Sequence, residues 1–314
     1  MPNHEIPPGL WPVMLTPFHD DGRIDWAAFD ALTDWYIESG ADGLFAVSGS
    51  SEVHHLAREE RVALAERALA RTAGRIPVAA SAIVFESLEH QAEAVREMFD
   101  TGVQFVIVGT CQLAGPHEGA DIWTARAEGL LEMTGEIPLG LYEIPTPYKR
   151  LLTDEQCAWA AATGRFVFLK DTCCDVPTMR RRLEAFRSSR LKLYNANTPT
   201  LLESLDCGAA GFCGIGANYC PRLYAWLCRH HAAAPQAAAE VQRFLTRFDP
   251  LIESKYPAGC KRFLGQLGLP IGPRCRIQTE PITPEDEKKL SEFAAAIREI
   301  ESGLEPAVGG ECRG

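Results

Sequence analysis

No run of about 18 apolar residues occurs in this 314-residue chain. Its first residues, MPNHEIPPGLWPVML, carry no basic stretch leading into an apolar core with a cleavage site. A membrane span and an export signal are therefore not expected, and the sequence reads as a soluble cytoplasmic protein. No long basic run offsets the charge balance: 31 Lys and Arg stand against 42 Asp and Glu, a net charge of −11. Nucleic acid and anionic membrane surfaces are poor partners for such a chain. A repeated CxxC pair is also missing. The 11 cysteines are spread from Cys111 to Cys312, with Cys173 and Cys174 adjacent, which fits reduced thiols better than a disulfide framework or a zinc site. Finally, no GxGxxG follows the first predicted strand, so the phosphate loop that often marks a doubly wound sheet is absent.

What is present is a long alternation of strand and helix signals. A short apolar run, Leu10 to Leu15, reads as the first strand. Trp26, Phe29, Leu32, Thr33 and Tyr36 then recur at helical spacing up to Gly40, and residues 43–47 resume a strand. The pattern continues with helices predicted over 58–72, 87–101, 118–134 and 175–188, and strands over 76–81, 104–108, 137–142, 166–170, 191–194 and 211–215. Thr153-Asp154-Glu155-Gln156 marks one more helix start, by the reciprocal cap of Thr153 and Gln156. About eight strand–helix units over roughly 230 residues is the size of a closed (β/α)8 barrel. Residues 1–233 are thus assigned to the barrel and 234–314 to a C-terminal helical appendage. That appendage has three predicted segments, 236–251, 259–267 and 284–302, and a frayed tail from Gly303.

Barrel enzymes place their chemistry at the C-terminal ends of the strands. The sixth strand, Phe166-Val167-Phe168-Leu169, ends in Lys170. An ammonium against an apolar wall loses hydration, its pKa falls, and the neutral amine becomes a nucleophile toward carbonyls. A lysine that snorkels from a strand end to water fits the same stretch. Tyr142 ends the fifth strand, either as a proton carrier for a carbinolamine on Lys170 or as a packed residue with its hydroxyl satisfied locally. The Gly49-Ser50-Ser51 turn after the second strand offers backbone N–H groups and two hydroxyls to a small carboxylate, and it also fits a plain turn. A lysine, a tyrosine and an anion-binding turn at one mouth together favour carbonyl chemistry. His54-His55 lacks a third ligand at metal-binding spacing and reads as a solvated pair. Glu143 is either an acid–base group or an ion-pair partner of Lys149 or Arg150. His117 and Asp171 lie near the mouth without a motif.

Six stretches carry a family resemblance: WPVMLTPFHDDGRID, VSGSSE, Gly74-Arg75-Ile76-Pro77-Val78, LYEIP, FLKD and GAAGFCGIGANYCP. In this order, and over nearly the whole chain, they resemble the motifs of the dihydrodipicolinate synthase and N-acetylneuraminate lyase family. The resemblance implies class I aldol chemistry on pyruvate or another 2-oxo acid, with no metal and no cofactor, in a homo-oligomer, either a dimer or a tetramer built of dimers. It places Lys170 as the Schiff-base lysine and Tyr142 as the proton-relay tyrosine. Ser50, helped by Ser51, falls on the turn that holds the pyruvate carboxylate, and Cys213 on the position whose backbone carbonyl lies near the imine.

The departures are specific. Gly49 stands where the family has a relay hydroxyl, and Gln112 where synthases carry a tyrosine that reaches the neighbouring subunit's site. Pro147 stands where synthases carry the arginine that binds the carboxylate of aspartate semialdehyde, with Lys149 and Arg150 nearby as replacement cations. Glu143 replaces the usual asparagine. The expected activity is aldol condensation or retro-aldol cleavage with an aldehyde or sugar-acid partner, without true dihydrodipicolinate synthase function. Dehydration of a 3-deoxy-2-oxo sugar acid on the same imine is the alternative, and a non-catalytic 2-oxo-acid-binding protein is the reading from another class.

Overall fold

The computed structural model describes residues 5–308. Among them, eight strands form one sheet: β1 Gly9–Leu10, β2 Leu44–Phe45, β3 Val78–Ser81, β4 Val106–Gly109, β5 Leu139–Tyr142, β6 Phe166–Asp171, β7 Lys192–Asn195 and β8 Gly211–Phe212. Every neighbouring pair is parallel. β1 pairs with β8, and a parallel bridge from Val13 to Phe45 joins the chain just past β1 to β2, so the sheet closes on itself. This is the expected (β/α)8 barrel. The seam is tight: a Cβ on Gly211 would lie 1.8 Å from the Gly9 carbonyl, so only glycine fits.

Eight helices follow the strands in turn: α1 Trp26–Glu38, α2 Arg58–Thr72, α3 Leu88–Asp100, α4 Ala120–Thr134, α5 Asp154–Ala162, α6 Val176–Phe186, α7 Leu201–Asp206 and α8 Pro221–His230. Their starts carry capping chemistry. Asp25 accepts from Ala28 N at 3.0 Å before α1, Thr153 and Gln156 cap each other's backbone at α5, and Asp175 accepts from Thr178 N at α6. The strands are shorter than the apolar runs that predict them. Leu10 to Leu15 is buried throughout, but only its start and Val13 pair as strand. Hydrophobic patterning reports burial, and part of this run is buried while crossing from β1 to β2.

Side chains fill the barrel. Trp11, Phe105, Phe168 and Tyr194 form an aromatic layer, with Phe168 stacked on Tyr194 at 4.1 Å and Trp11 edge-on to Phe168 at 5.4 Å. Gly140 of β5 makes room for it, since a Cβ there would meet the Phe105 ring at 3.2 Å. Cutting Phe168 back to alanine in such a layer costs about 3–5 kcal/mol.

The appendage holds α9 Pro235–Glu253, α10 Ala258–Gln266 and α11 Pro284–Val308. Phe244, Phe248, Phe263 and Phe293 cluster there, Phe248 and Phe293 at 4.5 Å, and Phe263 and Phe293 pack against Tyr219 of the barrel. The expectation of a frayed tail from Gly303 is corrected, because α11 continues to Val308. Leu290, Phe293, Ala294 and Ile297 are buried at helical spacing, and Ile300 and Leu304 carry the same face onward. Residues 309–314 lie outside the described residues. No helix among the described residues is long and apolar enough to cross a membrane.

Candidate active site

Strand alternation places Phe168 and Lys170 on the same face of β6, so the lysine stands directly above the aromatic layer. Across the ladder Lys170 is paired in register with Tyr142 of β5. Its Nζ lies 4.2 Å from the Tyr142 ring centroid and 5.8 Å from that of Phe45. Lys170 is 3% exposed and Tyr142 5%. The amine makes no ion pair or hydrogen bond among the described residues. Cys213, just after β8, is fully buried. Burial pushes its thiol up to about 11, and the charge of Lys170 pulls in the other direction. These three residues meet at one mouth of the barrel.

β2 runs into a 3₁₀ turn, Gly49–Ser51. The two serines divide their work. Ser51 Oγ shares its one proton between the carbonyls of Met14 and Ala46, at 2.7 and 3.0 Å, and accepts from Ser48 N at 3.0 Å, which anchors the turn. Ser50 lies beside the hydroxyl of Tyr256. A Cβ on Gly49 would come within 3.2 Å of the Tyr142 hydroxyl, so bare backbone faces the tyrosine where a relay hydroxyl was expected.

Sequence reasoning missed Tyr256, which lies between α9 and α10. Its hydroxyl accepts from Asn218 Nδ2 at 2.6 Å, and Asn218 Oδ1 accepts from the Tyr36 hydroxyl at 2.5 Å. Burial holds the Tyr256 phenol well above its usual range, with hydrogen bonds from Ser50 and Asn218 opposing. A second tie from the appendage reaches the same turn. Glu52 closes it in a left-handed conformation, at φ 62°, and receives Lys261 Nζ at 2.7 Å, Arg276 N at 2.6 Å and Ile277 N at 2.9 Å. Both members of the Glu52–Lys261 pair are fully buried.

Glu143 and Asp171 follow Tyr142 and Lys170 and alternate to the other side of the sheet. There both meet Arg182 of α6, Glu143 at 2.8 Å and Asp171 in a short contact. Glu143 also accepts from Leu152 N and Thr172 N at 2.9 Å each. The expected pairing of Glu143 with Lys149 or Arg150 is therefore corrected: its partner lies 39 residues away, on the helix that packs behind the strand. Burial raises the Glu143 carboxyl above its ordinary range, and Arg182 pulls it back. Arg150 is spent on the carbonyls of Gly115, Glu118 and Gly119 at 2.9–3.1 Å. Lys149 is exposed and has no ion pair among the described residues. Gln112 accepts from Gly109 N and donates to Ala82 O and Gln91 Oε1, so its amide is consumed locally. His117 is exposed, and His54 bonds Thr146 at 3.2 Å. Among the described residues no cluster of three His, Cys, Asp or Glu side chains is arranged to hold a metal, and the described cysteines are free thiols.

The model of the dihydrodipicolinate synthetase family matches residues 7–300. A 4-hydroxy-tetrahydrodipicolinate synthase of Laribacter hongkongensis is 30% identical over 232 residues, covering 72% of this chain and 76% of the relative. That of Gluconacetobacter diazotrophicus is 27% identical, covering 89% and 93%. The solved dihydrodipicolinate synthase of Thermotoga maritima superposes with a TM-score of 0.83 at 21% identity, over 93% of this chain and 99% of that one. The Acinetobacter baumannii enzyme, solved in complex with pyruvate, gives 0.81 at 22%, over 92% and 98%. The family match spans the barrel and nearly all of the appendage, so the chain belongs to the dihydrodipicolinate synthetase family of metal-independent class I aldolases and lyases.

Proposed function

We propose that this protein is a lyase in which Lys170 forms an imine with pyruvate or another 2-oxo acid and makes or breaks the adjacent C–C bond. The observation that carries the reading is the position of Lys170 Nζ: enclosed above an aromatic floor, free of any described ion pair, and 4.2 Å from the ring of Tyr142. The amine attacks the ketone carbon. The carbinolamine then loses its hydroxyl as water, with a proton from Tyr142, as the nitrogen lone pair closes the C=N bond. The iminium draws electrons from the neighbouring bond, giving an enamine on cleavage; in reverse, the enamine carbon attacks an aldehyde. Ser50 holds the carboxylate of the 2-oxo acid, and the Cys213 carbonyl faces the imine. The chemistry calls on no metal or cofactor. By analogy with the family, the working form is a homo-oligomer.

The same reading makes the enzyme a poor dihydrodipicolinate synthase. A two-pronged arginine on a substrate carboxylate contributes roughly 1.5–3 kcal/mol, about ten- to a hundredfold in kcat/KM. Pro147 has neither charge nor donor, and the Arg150 guanidinium is already occupied. Lys149 remains as a single-point cation. The test measures condensation of pyruvate with aspartate semialdehyde beside cleavage and dehydration of 3-deoxy-2-oxo sugar acids. Faster turnover of the sugar acids supports the reading. Efficient synthase turnover with the sugar acids inert refutes it.

A further inference from the structure

Between β5 and β6 the register steps by one residue. Leu139 pairs with Phe166, but Gly140 pairs with Phe168, Leu141 with Leu169 and Tyr142 with Lys170. A ladder continued evenly from Leu139 would set Tyr142 opposite Leu169, with Lys170 one residue, roughly 3.3 Å, further along. The step is thus what brings the phenol and the amine level, and a one-residue slip would also turn a side chain to the other face. Glu143 and Thr172 close the ladder just past this pair. Glu143 N donates to the Lys170 carbonyl at 3.3 Å, Thr172 Oγ1 to the Glu143 carbonyl at 2.9 Å, and Thr172 N to Glu143 Oε2 at 2.9 Å. Glu143 Oε1 takes Leu152 N at 2.9 Å and Arg182 Nη2 at 2.8 Å, and the same arginine nitrogen donates to the Leu152 carbonyl at 2.8 Å. Arg182 Nη1 reaches Asp171, the last residue of β6.

We propose that Glu143 is a positioning residue: its carboxylate, braced by Arg182, locks the stepped register and so holds the Tyr142 phenol where it serves Lys170. This rests on the reading of Lys170 as the imine lysine and Tyr142 as its proton carrier. Charge matters here as well as shape. Three N–H donors converge on the carboxylate, which accepts from all of them; an amide in its place offers one oxygen and turns an NH2 group toward one of the donors. Glu143 is itself no proton carrier for a substrate. It is fully buried, Leu152, Thr172 and Arg182 engage both of its oxygens, and alternation points it away from the mouth that Tyr142 and Lys170 share.

Glu143→Gln keeps the side-chain length and removes the charge and one acceptor. The readout is the rate of borohydride trapping at saturating pyruvate, beside the pyruvate concentration that gives half-maximal trapping, both followed by intact mass. The rate should fall about tenfold or more, toward the roughly 10²-fold of a misplaced catalytic group. The half-saturating concentration should stay unchanged, because the turn carrying Ser50 follows β2 and is untouched. In the Tyr142→Phe background the same change should lower the rate no further, because it acts through the phenol. Relative to wild type, the rate should drop by one factor at every pH, with the shape of the pH profile kept. Thr172→Val keeps the branched shape and removes only the hydroxyl bond to the Glu143 carbonyl. It should lower the rate in the same direction, and it decides the question if Glu143→Gln does not fold. An unmoved rate in the folded variant, a factor that persists in Tyr142→Phe, or a pH profile of altered shape overturns the proposal. A wild-type protein that traps no 2-oxo acid overturns the lysine reading and this proposal with it. Trapping in wild type with an unmoved Glu143→Gln overturns this proposal alone.

Discussion

Lys170 and Tyr142 face each other in register across β6 and β5, with the lysine Nζ 4.2 Å from the tyrosine ring centroid. The pairing follows from two features of the barrel. Alternation turns both side chains inward, and the aromatic layer beneath leaves them no room to fold down. The amine and the phenol are thereby held at one height above a dry floor.

Tyr142→Phe preserves this packing and removes one proton carrier. Binding of 2-oxo acid should persist while kcat falls about 10²-fold or more, the range of lost acid–base assistance. Steady-state kinetics beside borohydride trapping separates the two effects. An unchanged kcat would make Tyr142 a packing residue.

The sequence made Lys170 and Tyr142 legible because each closes an apolar run whose length and flanks mark a strand end. The barrel was legible for the same reason, as alternation repeated along the chain. Partners brought together through space were not. Nothing near Glu143 in sequence points to Arg182, while the charged residues close at hand, Lys149 and Arg150, suggested the wrong pairing. Ser51 follows Ser50 directly, and only the fold shows its hydroxyl turned to the carbonyls of Met14 and Ala46. Tyr256 carried no motif at all. Only the docking of the appendage on the barrel places its hydroxyl beside Ser50, and the one local signal was a tyrosine before Pro257 at a helix junction.

Arg182 compensates two buried carboxylates at once, so Arg182→Ala should destabilise the protein by about 3–5 kcal/mol. The loss should depend on pH. Without Arg182, burial and the Asp171 charge outweigh the backbone hydrogen bond from Thr172, and the folded-state pKa of Glu143 rises further above the unfolded 4.5. A carboxyl raised in the folded state supports folding below its unfolded pKa and loses that support as pH climbs through the folded value. The deficit relative to wild type should therefore widen from about pH 4.5 toward neutrality. Urea midpoints at the two pH values test this, and a deficit that narrows contradicts it.

Lys261→Met leaves Glu52 charged and enclosed without its main partner, at a cost of about 3–5 kcal/mol. Glu52 closes the Ser50 turn, so the half-saturating pyruvate concentration should rise with the loss of stability. Guanidinium unfolding and a pyruvate titration on one preparation would show both. A stable variant with unchanged titration would mean that the buried pair does not hold the turn.

Everything at this site turns on the identity of the nucleophile. Incubation with pyruvate and borohydride, followed by intact mass and peptide mapping, reads it directly. One reduced-imine adduct per chain is expected, located on Lys170, with neither adduct nor turnover in a folded Lys170→Ala variant. An adduct on a different lysine, or 2-oxo-acid turnover that survives Lys170→Ala, would contradict it.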